Sequence, residues 1–418
     1  MNSLYERYPA LRHVVTMLSS SSVSQIIPFI TIPILSRIYT PTDFGIYEIY
    51  YSLMTILVVI PNLRLENAML LEKDDNKSFN LLFFIFISNL FFFISFLILF
   101  FIFKNQILSF YDIHNYQKLI FLVPISIFIS SLYNLFSLFL VRFSLFKSLA
   151  LSKIFVSVFN AIIQIYLGFL FLGSYGLIYG NIIAYFFGLL LILIPCWNLI
   201  KNYKIQISKD QIFVLLKKYK SFVYYTLTAD FISNFSQQLP TIMIGKHFSS
   251  FSLGFYSIAR RIVGLPLSFI SGAVQDVYKK EAIDEFNQTK KIINTFMSTF
   301  ILLSFLGLLI VIFLFLFGEF LIISFLGDQW APGVEIVQIL SVLFSIRFVS
   351  GTLNYVFLIK SKQILDFIFQ IIQLIFVFLS FKFASLLEYN FTETIILYTI
   401  LLSIYSIINL SFSHKYAK

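Results

Sequence analysis

Ionisable side chains inside apolar segments are the residues of this sequence best placed to do chemistry. A charge at the centre of a membrane helix costs roughly 3 kcal/mol, so it is kept only beside a wet cavity or a partner. Asp230 lies in one such segment, with Thr226, Asn234, Gln237 and Gln238 at three- and four-residue steps, which makes one stripe on one helix face. The next segment places Arg260, Gly264, Ser268 and Ser271 on a common face, with Arg261 about 100° round, so the two arginines need not share a cavity. Arg347 falls near the middle of a later segment, and Asp366, Gln370 and Gln373 mark the polar face of the one after it. A mid-membrane carboxylate can bind Na⁺ or a proton in one state and release it in another. Asp230, with Asn234 and Asp366 as partners, is the candidate coupling site; Asp366 contributes only if its helix faces that of Asp230. The static alternative is that Asp230 pairs permanently with an arginine such as Arg260, and for the single Gln and Ser residues the alternative is helix packing. Arg64, Arg142 and Lys153 lie near segment ends, where snorkelling accounts for them.

Catalytic signatures are nearly absent. His13, His114, His247 and His414 sit near segment ends, and there is no H-E-x-x-H, G-x-S-x-G or phosphate-cradling glycine loop. Asp74-Asp75 and Asp284-Glu285 stand beside lysines and read as solvated faces, not metal sites. A single cysteine, Cys196, excludes an intramolecular disulfide and a cysteine-based metal cluster and reads as a small apolar filler. No cofactor is expected.

The elements that carry these residues are membrane helices. A hydrophobic fraction of 59% with 12% charged residues is incompatible with a soluble globular chain. About twelve stretches meet the span criterion of roughly 20 mostly apolar residues: 14–37, 44–68, 79–103, 117–141, 146–172, 176–200, 219–244, 252–275, 292–317, 333–358, 363–384 and 392–413. The first is interrupted by Ser19–Ser22 and no A-x-A-like cleavage site follows, so it reads as a retained helix. Pro28 and Pro33 remove backbone bonds within it and favour a bend, which is either a gate or a fixed kink. The polar interval Lys201–Lys220 is the expected linker, dividing an N-terminal six-helix bundle (1–205) from a C-terminal one (206–418). The expected fold is therefore an all-α polytopic membrane protein.

The two halves echo one another. Ser24-Gln25-x-x-Pro28 and Gly45-Ile46-Tyr47 return as Ser236-Gln237-x-x-Pro240 and Gly254-Phe255-Tyr256, at offsets of 212 and 209. The difference is assigned here to a shorter corner in the second copy. Repeats of this kind suggest a transporter. With the N-terminus inside, 21 Lys and Arg fall on the inner side and five (Arg37, Lys104, Lys118, Lys246, Lys382) on the outer side, with Arg64, Arg260, Arg261 and Arg347 left within spans. That asymmetry puts both termini in the cytoplasm, and the net charge of +10 reflects cytoplasmic loops before it suggests nucleic acid.

The run PILSRIYTPTDFGIY, followed by Arg64-x-Glu66-x-Ala68, resembles the opening of polysaccharide flippases, including O-antigen flippases, of the multidrug/oligosaccharidyl-lipid/polysaccharide exporter superfamily. The echo Gly245-Lys246 … Leu253-Gly254-Phe255-Tyr256-Ser257 extends the likeness to the second half. The resemblance implies two six-helix bundles arranged as a V, related by a pseudo-two-fold axis along the membrane normal, around a central cavity. It implies translocation of an undecaprenyl-pyrophosphate-linked oligosaccharide, such as an O-antigen repeat unit in lipopolysaccharide biosynthesis. The direction would be from the inner to the outer leaflet of a bacterial cytoplasmic membrane, with no covalent step. Membrane lipids and a polysaccharide polymerase are the implied partners. Arg260, Arg261 and Arg347 match in character the cavity cations expected to contact substrate. A cation-coupled drug exporter or a peptidoglycan-precursor flippase of the same superfamily is the nearest alternative. An O-antigen polymerase or ligase fits less well, since the outer connections are short and cation-poor.

Overall fold

Apolar stretches of this length have no water to satisfy their peptide groups, so each must close its hydrogen bonds internally as a helix. The computed structural model describes residues 9–203, 206–360 and 362–418, without the side chains of 9–22, Asn202, Ala273 and Gln363. Its long elements are α1 (Pro9–Ile38), α2 (Pro41–Leu57), α3 (Asp75–Ile102), α4 (Leu119–Arg142), α5 (Phe146–Phe169) and α6 (Ser174–Asn202). After them come α7 (Leu227–His247), α8 (Ser250–Thr289), α9 (Ile293–Leu321), α10 (Gly333–Leu353), α11 (Gln363–Leu386) and α12 (Phe391–Ala417). Nine of these are long and apolar enough to cross a membrane, and α1, α2 and α7 occupy the other three stretches expected to do so. No strand occurs among the described residues. Arg7 and Lys204, counted among the inner cations, lie outside the described residues, as does Ile205, on which the expected boundary between halves falls.

By contact the chain forms two units, one holding residues up to Tyr39 with Ile49–Gln238 and the other Thr40–Glu48 with Leu239–Lys418. Helices α2 and α7 thus each contribute to both units along their length.

In the first unit the expected span 44–68 is not one helix. It is α2, a turn over residues 58–64, and a short helix Leu65–Leu71. Pro61 removes a donor within the turn, and Leu63 and Arg64 adopt left-handed φ values of 54° and 58°. Broken backbone at this depth is tolerated only where protein replaces water. Ser88 Oγ donates to the Pro61 carbonyl (2.8 Å), and Asn89 Nδ2 to Asn62 Oδ1 (2.7 Å). Asn62 Nδ2 donates to the Ser131 carbonyl (3.1 Å), and Ser131 Oγ closes the set on Asn89 Oδ1. Pro28 similarly frees the Ser24 carbonyl four residues back, which accepts from Ser157 Oγ of α5 at 2.6 Å. Cys196 is buried in the apolar core, as its reading as a filler requires.

The connections at one end of this unit are fastened by charge: Arg142 to Asp75 at 2.8 Å and Lys218 to Glu72 at 2.7 Å. The described part of the expected linker beyond Gln206 is itself structured. Ser208 caps a helix over Lys209–Lys218, and Asn80 Nδ2 donates to the Gln206 carbonyl (2.9 Å) while its Oδ1 accepts from Ser208 N (2.9 Å).

In the second unit, Glu285 near the end of the 40-residue α8 accepts from Asn294 N (3.1 Å) and Thr295 N (2.8 Å), capping α9. The corner before α2 is built on a reciprocal cap. Thr40 N and Oγ1 donate to Asp43 Oδ2 (3.0 and 2.7 Å), and Asp43 N donates to Thr40 Oγ1 (3.2 Å). At the repeat-related positions Ser249 Oγ accepts from Ser252 N at 3.2 Å. Two residues separate α1 from α2 and two separate α7 from α8, so the corners are equal in length. The three-residue difference lies instead within the helices, between the proline at 28 or 240 and the helix end at Ile38 or His247.

Candidate functional site

Two charged clusters sit within the helical spans, one in each unit. In the second unit α2 and α8 approach through glycine. A Cβ at Gly45 would collide with the backbone carbonyl of Ser250, and one at Gly254 with that of Pro41. Both carbonyls belong to the residue four before the other glycine, so the approach repeats the sequence offset of 209. One turn further on, the related positions 48 and 257 meet, with Ser257 Oγ donating to Glu48 Oε2 at 2.9 Å.

This close approach buries Glu48 completely and places its carboxylate against two guanidiniums. Arg260 pairs with Oε1, and Arg261 lies 3.6 Å from Oε2, with side chains 23% and 26% exposed. The Arg261 guanidinium also stands over the rings of Phe44 (5.5 Å) and Tyr47 (5.4 Å). Although the two arginines leave the helix about 100° apart, their long side chains converge on one carboxylate. Two guanidiniums thus share the single carboxylate of Glu48, and neither side chain is fully buried.

Arg347 on α10, half-buried, lies within electrostatic reach of Tyr256, as Arg260 does, and of Tyr405. Asp366 stands in the first turn of α11, where a helix N-terminus favours an anion, and its Oδ2 accepts from Gln370 Nε2 at 3.2 Å. Tyr405 is within its electrostatic reach too.

The first unit's cluster sits at the broken helix. Arg64, turned left-handed before the short helix, places Nε 2.6 Å from Asp230 Oδ2 and Nη1 3.4 Å from Glu66 Oε1. Asp230 therefore pairs with Arg64. Arg64, expected to snorkel, makes this ion pair from the turn that follows α2. Asn234, one turn along α7, donates from Nδ2 to the Thr55 carbonyl (3.0 Å), one of the last four carbonyls of α2. Immediately before α7 the chain is π-helical over Phe222–Thr226, a conformation that recurs at functional sites. Pro28 and Pro33 lie within the continuous helix α1; beside Ser157, local donors are Thr31 Oγ1 to the Pro28 carbonyl (3.0 Å) and Ser36 Oγ to the Pro33 carbonyl (3.0 Å). Among the described residues no group of three or more His, Cys, Asp or Glu is placed to hold a metal ion.

Glu48 escaped the sequence reading. Its signal was present, because it follows Gly45 by three residues as Ser257 follows Gly254, in the frame that the repeat defines.

Residues 34–335 match the family described as polysaccharide biosynthesis protein. No curated protein matches the chain in sequence. Among solved structures, the lipid II flippase MurJ in an inward closed conformation aligns with a TM-score of 0.72 at 14% identity, covering 97% of this chain and 87% of that one. An inward-facing multidrug resistance MATE family transporter of the MOP superfamily aligns with a TM-score of 0.59 at 12% identity, covering 96% and 94%. A MOP superfamily transporter from Pyrococcus furiosus, described by a reversed polarity of its binding pocket, aligns with a TM-score of 0.56 at 13% identity, covering 97% and 94%. At these identities the likeness shows the fold, which is that of MOP-superfamily transporters.

Proposed function

The chain belongs to the polysaccharide biosynthesis protein family, and on that footing we propose that it is a flippase for an undecaprenyl-pyrophosphate-linked oligosaccharide, working by alternating access. The observation that carries this reading is the pair Arg260 and Arg261, brought together on the buried Glu48 within the helical part of the second unit. A sugar head bearing pyrophosphate cannot cross hydrocarbon, because its polar groups would go unsatisfied. Guanidinium donors replace the lost water and pair with phosphate oxygens in bidentate fashion. Arg347, half-buried on α10 of the same unit, is the third proposed phosphate contact. No covalent step is required of the protein. Asp230 with Asn234 is the proposed Na⁺ or proton site of the first unit, Asp366 a separate candidate in the second, and Pro28 and Pro33 the proposed gate. Movement of net charge is worth about 2.3 kcal/mol per charge per 100 mV, which is enough to bias the cycle.

A lipid II flippase is the second reading, favoured by the structural likeness to MurJ. Both are tested in proteoliposomes carrying either lipid-linked oligosaccharide or lipid II, by following the appearance of the head group to an impermeant glycosidase outside. The expected result is flipping of the oligosaccharide, lost at least about tenfold in Arg260→Ala and Arg347→Ala while both variants remain in the membrane. Flipping of lipid II with the oligosaccharide untouched would overturn the first reading in favour of the second. Leaflet direction follows from the cation asymmetry, with both termini cytoplasmic. Asn115→Cys, on an exposed outer connection, should be labelled by an impermeant thiol reagent in intact cells, and Lys73→Cys should not.

A further inference from the structure

The helix Lys209–Lys218, between α6 and α7, is held along one face. Leu215 and Tyr219 are buried in the core of the first unit, and Tyr219 Oη donates to Glu72 Oε2 at 2.9 Å beside Lys218. The other face is bare. Lys209, Phe213 and Lys217 follow at four-residue steps and Lys220 three further on, all exposed, with Val214 alongside. Phe213 is 71% and Val214 63% exposed, two large apolar groups on a helix otherwise studded with lysine.

The surroundings give the depth of this face. Trp197, near the end of α6, is exposed with Lys201 Nζ 5.5 Å from its ring centre, and Tyr224 and Tyr225 are exposed just beyond the helix. Exposed Trp and Tyr interleaved with Lys at helix ends mark the headgroup level of a bilayer. The helix therefore lies along that level, where Phe213 and Val214 can enter the acyl boundary while lysine ammonium groups meet phosphates. Lys218 is engaged by Glu72, and Asp210 is the only carboxylate between Lys209 and Lys220, so Lys209, Lys217 and Lys220 set the sign of the face.

We propose that this face docks on anionic phospholipid headgroups of the leaflet it meets, the cytoplasmic one by the cation asymmetry. Phe213 and Val214 are its apolar anchors, and Lys209, Lys217 and Lys220 its phosphate contacts. The proposal is independent of which lipid-linked sugar is transported. It is tested with the full-length chain carrying Phe213→Trp in phosphatidylcholine nanodiscs that contain a minority of brominated phosphatidylglycerol or, in parallel, of brominated phosphatidylcholine. The unsubstituted protein supplies the blank for Trp197 and Trp330. The expected result is quenching of the added tryptophan by both lipids, with brominated phosphatidylglycerol enriched around it about fivefold, the factor that one lysine near an anionic surface supplies. Lys209→Gln/Lys217→Gln/Lys220→Gln should abolish the enrichment and leave quenching by brominated phosphatidylcholine in place. Equal quenching by the two lipids, absence of quenching by either, or enrichment that survives the triple substitution would each overturn the proposal.

Discussion

Gly45 and Gly254, 209 residues apart, each occupy the space beside a backbone carbonyl of the other's helix, Ser250 for one and Pro41 for the other. Each carbonyl lies one helical turn before the opposing glycine, so the crossing of α2 and α8 is locally two-fold in character. The offset that makes the repeat visible in sequence is also the offset that brings these residues together.

Alanine at either glycine should separate the helices. Overpacking of a tight contact costs about 1–3 kcal/mol, and here the obstacle is backbone, which cannot rotate aside. Gly45→Ala and Gly254→Ala should each lower the unfolding temperature in detergent. Gly272→Ala on the same α8 meets nothing within 4 Å and should leave it unchanged or raised, since alanine is the better helix former. A similar loss in all three variants would show a general intolerance of α2 and α8 and not this crossing.

The Glu48 pairings should appear as an energetic coupling. Removing one member of a buried ion pair costs about 3–5 kcal/mol where the other is left uncompensated. Here each arginine keeps some access to solvent, so the lower part of that range is expected for Glu48→Gln. A double-mutant cycle with Arg260→Gln should give a coupling of at least about 1 kcal/mol by denaturant or thermal unfolding. Additive losses would mean that Glu48 is held by Ser257 and Arg261 and not by Arg260.

Much of the helix inventory was legible because a membrane span is written locally, as a run of apolar residues with polar punctuation. The break after α2 was not, because a proline inside an apolar stretch reads as a kink as readily as an end. What permits the break is Ser88, Asn89 and Ser131, supplied from α3 and α4. The partner of Arg64 was not legible for a related reason: the left-handed backbone that turns it onto Asp230 belongs to the break itself. Glu48 was hidden because its partners lie over 200 residues away and only the repeat frame points to them.

The clasp between Glu72 and Lys218 should weaken in acid. Burial raises the Glu72 carboxyl, but the Lys218 ammonium and the Tyr219 hydroxyl outweigh it and bring the group below its ordinary value of 4.5. A carboxyl depressed in the folded state contributes stability that is fully present above the unfolded value and lost as pH falls through the folded one. The stability difference between the natural chain and Glu72→Gln should therefore hold steady above about pH 4.5 and shrink below it. Thermal unfolding of both proteins across that window measures the difference. A gap that stays constant into acid would assign the loss in Glu72→Gln to packing.

Asp230 carries the last prediction, because two accounts of it now differ in a measurable way. Under ion coupling, Arg64 is the counter-charge that holds Asp230 while the site is empty, and an incoming Na⁺ or proton competes with it. Asp230→Asn keeps the shape and hydrogen bonding of the side chain but removes the charge that such competition requires. The variant should then carry substrate down its own gradient in vesicles and lose its response to an imposed Na⁺ or pH gradient. Under the static account, the pair at 2.6 Å only balances charge at the broken helix. Asp230→Asn would then leave Arg64 with Glu66 as its remaining carboxylate, lower stability, and be rescued by Arg64→Gln, with gradient responses intact. The double variant decides between them. If Asp230→Asn/Arg64→Gln regains stability but stays blind to both gradients, Asp230 couples the ion; if it regains stability and, like Asp230→Asn, responds to both gradients, the pair is structural.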